Sequence, residues 1–274
     1  MGMSASARTE LLSRWIKPSS ENEQVQQERA EDMVRKAITT CNAFDGTNVL
    51  IYTKGSYPPN NTNVRRDSDV DVVIELRDCL YYGYKAGVTG AAPPPPPYQG
   101  SWTPESWRKA VVDALVVAFG SDSVDTSGRV AINISAVEGS RPSADVVPSF
   151  DYRRYDNSDR TISKEGSCVF PTDGGSKIVN WPQQQLDNGR SLNTETNHRY
   201  KNYVRALKNA ENFLATAAPS TSCLRTSWSA WSTTCLPRLS PLVTSTRVSA
   251  PRWSACGVSS NQRRVSAKWS NLIG

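Results

Sequence analysis

An α+β fold is predicted by three observations. The segment from Ser20 to Cys41 carries apolar residues at helical spacing, runs rich in β-branched residues follow at 48–52 and 69–76, and further strands and helices are interleaved down to Thr216. Ser20 caps the first helix, whose apolar contacts are Val25, Met33, Val34 and Ile38. NVLIY, Asn48 to Tyr52, reads as a strand; after the turn-rich KGSYPPNNTNVRRDS, the run DVDVVIEL, Asp69 to Leu76, reads as a second. Five consecutive prolines in GAAPPPPPYQG, Gly90 to Gly100, favour an extended surface loop and exclude a helix or a central strand. Thr103 caps a helix with Pro104 at its first position, running through WRKAVVDALVVAF to Gly120. RVAINISAV (Arg129 to Val137) and SADVVPSFDY (Ser143 to Tyr152) read as two more strands. NWPQQQLDNG reads as a loop, and Thr194 to Thr216 as a helix with Tyr200, Val204, Leu207, Phe213 and Leu214 among its apolar positions.

The 274 residues suffice for one large domain or two modest ones. The opening MGMSASARTELLSRWIKP has no apolar core of secretory-signal length, and no stretch approaches a membrane span, so a cytoplasmic location is expected. None of the six cysteines forms a C-x-x-C pair, which argues against a zinc site or a disulfide framework. The net charge of +6 would fit a nucleic-acid binder, but its distribution does not. All 26 acidic residues lie at or before Glu211, and the stretch 218–274 holds only bases: Arg225, Arg238, Arg247, Arg252, Arg263, Arg264 and Lys268. Without that stretch the body is close to neutral.

Chemistry concentrates in Gly55-Ser56, Asp69-x-Asp71 and Asp145. Strand alternation puts the carboxylates of Asp69 and Asp71 on one face, while Val70, Val72 and Ile74 point into a core. Two acids aimed together repel, so a cation is needed to hold them, and Mg²⁺ prefers oxygen ligands. Asp145 opens the strand-like run A-D-V-V, and three carboxylates on neighbouring strands can seat two metal ions for phosphoryl-type transfer. Gly55 permits close backbone approach and Ser56 offers a hydroxyl to a phosphate. His198 is the only histidine and sits in T-N-H-R-Y-K, which argues against a Ser-His-Asp triad. No G-x-x-x-x-G-K-[ST] loop is present.

These residues carry a family resemblance. GSYPPNNTNVRRDSDVDVVIEL resembles the active-site stretch of the cGAS/DncV-like nucleotidyltransferases, the CD-NTases of the polymerase-β superfamily. ADVVPSFDYRRY resembles their third-aspartate strand, IVNWPQQQLDNGRSLN their N-W-P loop, NHRYKNYVRALKNAENFL the following helix and LLSRWIKPSSENE their opening. The likeness spans roughly residues 10–216 and is nearest to the clade that makes cyclic dinucleotides, often with a pyrimidine. It implies a polymerase-β-like core with a mixed sheet over 1–190, including the N-terminal helix, and a second, helical lobe whose first helix is 191–217. It implies that Asp69, Asp71 and Asp145 bind Mg²⁺ or Mn²⁺ and are catalytic, and that Gly55 and Ser56 hold the triphosphate. It further implies that Lys201 and Lys208 reach phosphates and that Asn180 contacts a base. The substrates would be nucleoside triphosphates, UTP and ATP among them. The product would be a cyclic second messenger read by an effector from the same operon in anti-phage defence, with neither membrane nor nucleic acid as partner. Two other readings are a polymerase-β-like transferase that modifies a protein or small molecule, and a non-enzymatic nucleic-acid-binding protein.

The resemblance stops near Ala217. The stretch 218–274 is rich in Ser, Thr and Arg, lacks acids and shows no helical or strand period. Residues Trp228 to Cys235 and the start of Leu236 are compatible with TGG AGT GCC TGG TCT ACA ACG TGC CT. Read from the third base, the same string encodes E-C-L-V-Y-N-V-P, a run like the family's continuation. A frameshift near Ala217 is therefore expected, leaving an incomplete helical lobe, a poorly structured tail and a chain of reduced or absent activity.

Overall fold

The computed structural model describes residues 4–56, 62 and 69–217. The expectations for the tail 218–274 and for the loop residues between Ser56 and Asp69, Thr62 apart, lie outside the described residues.

Two compact units are present, which among the described residues are 4–17 with 195–217, and 18–194. The smaller pairs α1 (Ala5–Trp15) with α5 (Tyr200–Ala217). The last carbonyls of a helix have no partner within it. Here α5 supplies them: Arg205 Nε donates to the Ile16 carbonyl at 2.7 Å and Asn209 Nδ2 to the Trp15 carbonyl at 2.9 Å. The Trp15 and Phe213 rings pack at 5.8 Å.

The larger unit runs α2 (Glu21–Thr39), a 3₁₀ turn (Asn42–Phe44), β1 (Val49–Thr53), β2 (Val70–Tyr84), α3 (Pro104–Phe119), β3 (Val124–Asp125), β4 (Ile132–Ile134), β5 (Ala144–Tyr155), β6 (Ser163–Val169), β7 (Ile178–Asn180) and α4 (Pro182–Glu195). The α+β class expected from the sequence is what forms. Ser20 caps α2 through a reciprocal pair with Glu23: the Glu23 amide donates to Ser20 Oγ at 3.3 Å, and the Ser20 amide to Glu23 Oε2 at 2.7 Å. Thr103 caps α3 in the same way with Ser106, and Pro104 takes the first helical position.

The strands form one sheet in the order β1-β2-β5-β4-β3, with β6 on the outer edge of β5 beyond β4, and β7 on β6. Its centre is the parallel pair β2–β5; the other pairings are antiparallel. One face packs under α2 and α3. Val70, Val72, Ile74 and Leu76 of β2, Ala144, Val146 and Phe150 of β5, and Ile132 and Ile134 of β4 meet Val34 and Ile38 of α2 and Trp107, Val111 and Leu115 of α3. Trp107 is fully buried, packs edge-on against Phe44 and Trp102 at 5.3 Å, and donates its indole N–H to the Ile74 carbonyl at 3.4 Å. A buried indole needs such a partner.

Several expectations are corrected. The buried stripe of α2 is Gln27, Ala30, Val34, Ala37 and Ile38, which leaves Val25 and Met33 off the stripe and exposed. NWPQQQLDNG is not a loop: after Trp181, Pro182 starts α4. Proline is compatible with a first helical turn, and Gly189 costs only a propensity penalty inside it. The run Thr194–Thr216 is two helices, broken where Asn197 and His198 take positive φ of 50° and 61°. Strand 129–137 shrinks to β4, whereas β2 extends eight residues past Leu76 through an irregularity between Leu76 and Leu80. The proline run carries no helix or strand, as expected, and Ala91 and Ala92 donate to the Ser158 carbonyl. Among the described residues no helix is long and apolar enough to cross a membrane.

Candidate active site

The central parallel pair places two acids side by side. Asp71 of β2 and Asp145 of β5 are register partners, so their Cα atoms are about 4.8 Å apart and their side chains leave the same face. That face is opposite the helices, since the residues between them, Val70, Val72, Ala144 and Val146, are the ones in the core. Asp69 stands one residue ahead of β2 and is exposed. There it accepts a hydrogen bond from the Ser143 hydroxyl, while the Val70 amide donates to the Ser143 carbonyl at 2.9 Å. Asp145 accepts from Asn133 Nδ2 of β4 at 2.9 Å, and these two are again register partners. Ser143 and Asn133 are positioning groups that the sequence did not reveal, because only the strand register brings them to the acids.

Gly55 closes the corner. The Lys54 amide donates to the Asp71 carbonyl at 3.0 Å, extending the β1–β2 ladder to the glycine. At Gly55 φ is +79°, and a Cβ there would lie 2.5 Å from Asp71 Oδ2. Both the backbone angle and the contact demand glycine. Ser56 follows, its carbonyl accepting from the Thr62 amide at 2.9 Å. Gly55→Ala is expected to push the Asp71 carboxylate out of place while the core stays folded. It should lose most activity with little change in thermal midpoint, and wild-type turnover in the alanine variant would refute the role assigned to this contact.

Among the described residues no three acidic, histidine or cysteine side chains converge as a ready metal nest; the carboxylates of Asp69 and Asp145 are turned to Ser143 and Asn133. The donor chemistry nevertheless fits a hard divalent cation. Asp71 and Asp145 are in register on adjacent strands, Asp69 is beside them, and all three offer oxygen.

Asn180 ends β7, further along the same face. It is the register partner of Ser167, which is the partner of Asp151 on β5, six residues past Asp145. A Cβ on Gly166 would meet the Asn180 carbonyl at 2.8 Å and the Trp181 ring at 2.9 Å, so this glycine makes room for the corner that presents Asn180. Trp181 packs edge-on to Tyr152 at 5.8 Å beneath the Arg154 guanidinium at 5.2 Å. Lys201 and Lys208 are two turns apart on one side of α5, in the other unit.

The chain is similar to known proteins. No family model matches the chain. A cyclic dipyrimidine nucleotide synthase CdnE of Legionella pneumophila is 36% identical over 203 residues, covering 74% of this chain and 67% of that protein. A namesake from Cecembia lonarensis is 34% identical over 202 residues, covering 71% of this chain and 63% of its own length. Among solved structures, the Rhodothermus marinus CdnE c-UMP-AMP synthase with Apcpp and Upnpp superposes with a TM-score of 0.61 at 25% identity, covering 76% of this chain and 68% of that one. The Elizabethkingia meningoseptica CdnE cyclic dinucleotide synthase with GTP and Apcpp gives 0.59 at 27%, covering 76% and 67%. The chain thus spans about two thirds of the length of these relatives. Its sheet, its carboxylate corner and this identity agree: the chain belongs to the cGAS/DncV-like nucleotidyltransferases, among relatives named CdnE.

Proposed function

We propose that the chain is a metal-dependent nucleotidyltransferase that joins two nucleoside triphosphates into a cyclic dinucleotide, one of them UTP. The observation that carries the reading is the in-register pair Asp71 and Asp145 closed over by Gly55. Asp69, Asp71 and Asp145 would hold Mg²⁺ or Mn²⁺, which when bound neutralises triphosphate charge and favours attack at the α-phosphate. The chain's own part is positioning. Gly55 and Ser56 receive the triphosphate, Asn133 and Ser143 fix two of the carboxylates, and Asp145 takes the proton of the attacking 3′-hydroxyl. Lys201 and Lys208 would add positive charge from α5. Asn180 would read the base, since a carboxamide donates and accepts, as a uracil edge requires. The relatives named for dipyrimidine synthesis and the structure holding Upnpp support uridine in the product. An effector that reads the product follows from the family's setting in phage defence.

The test is omission. The chain as it stands, and one whose reading frame is corrected after Ala217, are incubated with Mg²⁺ and α-labelled nucleotides in all pairs. Phosphatase-resistant product that needs UTP is expected, more of it from the corrected chain. Product formed efficiently from ATP and GTP while UTP is ignored would refute the base assignment, and label transferred to an added protein or small molecule would replace cyclisation with modification.

A further inference from the structure

The sheet face that carries Asp71 and Asp145 holds a second polar group that the carboxylate chemistry leaves unused. On β2, Glu75 is 2% exposed; on β5, Ser149 and Asp151 are 0% and 6% exposed. The Tyr52 hydroxyl, from β1, donates to Glu75 Oε2 at 3.1 Å. Arg77 Nη1 donates to Glu75 Oε1 at 2.9 Å and to Asp151 Oδ1 at 3.3 Å. Burial raises the pKa of both carboxylates, and Arg77 opposes the rise. Burial, then the Glu75 charge, raises that of Tyr52, which stays a donor throughout the physiological range. Apolar side chains would fill such a space at equal or lower cost, so stability alone does not explain two acids, an arginine and a phenol here.

Two further observations point to what the group serves. The hydroxyls of Ser149 and Ser167 are buried without a hydrogen-bond partner of normal geometry, and an orphaned buried hydroxyl is costly. Ser167 also lies beside the Tyr52 phenol, and it is the register partner of Asn180. Tyr52 thus reaches from Glu75 toward Ser167 of β6, the strand paired with the one that ends in Asn180.

We infer that Tyr52, held by Glu75 and through it by Arg77 and Asp151, is a positioning residue that sets the floor beneath the nucleobase and so tunes which base the site accepts. The inference rests on the nucleotide-binding reading of this face. Without the hydroxyl, Glu75 Oε2 loses its donor and Ser167 its polar neighbour, so the Asn180 edge shifts relative to the base. The triphosphate end at Gly55 and Ser56 is unaffected. A purely structural role would instead weaken every ligand together.

The experiment is a titration of the full chain with Mg²⁺ and three probes: a non-hydrolysable UTP analogue, the matching ATP analogue, and inorganic tripolyphosphate. Tyr52→Phe is expected to change the ratio of UTP-analogue to ATP-analogue affinity by about 3- to 10-fold, the scale of one hydrogen bond, with tripolyphosphate binding unchanged. Ser167→Ala should shift the ratio as well and serves if Tyr52→Phe does not fold. An unaltered ratio, or an equal loss for all three probes, overturns the inference while leaving nucleotide binding intact. Failure of the unaltered chain to bind any nucleotide overturns both.

Discussion

In the chain whose reading frame is corrected after Ala217, Asp71→Asn and Asp145→Asn are each expected to lower nucleotidyl transfer by about a thousandfold or more, with thermal midpoints near that of the parent. Each change removes a full negative charge from a corner where two carboxylates are in register on neighbouring parallel strands. A metal-assisted transfer draws several kcal/mol of transition-state stabilisation from its cations, and about 4 kcal/mol corresponds to a thousandfold in rate. The fold should tolerate the change. Both side chains lie on the face away from α2 and α3, and removing one of two like charges relieves repulsion. Asp145→Asn keeps a carboxamide oxygen that can still accept from Asn133. Parallel assays of product and of unfolding check this, and retained activity in both variants would remove these residues from the site.

Arg77→Met is expected to destabilise the larger unit by about 3 kcal/mol, because it strands Glu75 and Asp151 as buried charges without their cation. Arg77 is itself 26% exposed at its side chain, which places the loss at the lower end of the range for buried pairs. For a unit of this size that is a drop of roughly 6–12 °C in midpoint. The pH dependence has a definite sign. Both carboxyls already titrate above their ordinary range because of burial, and losing Arg77 removes an opposing influence. The folded state then binds more protons than the unfolded one, so stability falls as pH rises through the raised range and is partly regained on acidification. Adding Glu75→Gln and Asp151→Asn to Arg77→Met should recover much of the loss. A midpoint for Arg77→Met within 2 °C of the parent would show that the acids are not held by this arginine.

Much of this was legible in the sequence, and the remainder has physical reasons for its silence. The helix caps at Ser20 and Thr103 are local patterns and form as read; the D-x-D strand forms around Asp71, but it begins at Val70, so Asp69 stands just ahead of it rather than on its face. Gly55 was legible as a close-approach glycine, and the approach is to the Asp71 carboxylate. The partners Asn133, Ser143, Tyr52 and Asp151 were not legible, since they depend on the register of β4, β5 and β1 against β2, which one chain does not reveal. Strand β6, SKEGSCV, was missed because a central glycine and three exposed leading residues erase its alternation. Helix α4 was missed because Asn, Pro and Gly each favour turns, although proline at a helix start does not break it. Among the apolar positions of α2, a 3.6-residue period admits neighbouring stripes, and packing chose the one through Ala30, Val34 and Ile38.

The face bearing Asp71 and Asp145 is expected to bind a divalent cation together with a nucleoside triphosphate. Electron paramagnetic resonance of Mn²⁺ tests it on the chain as it stands, without requiring turnover. Free Mn²⁺ signal should fall when chain and a non-hydrolysable UTP analogue are both present, beyond what the analogue alone removes, and this extra loss should vanish in Asp71→Asn and in Asp145→Asn. Equal Mn²⁺ binding by the parent and both variants would place the metal elsewhere and contradict the account.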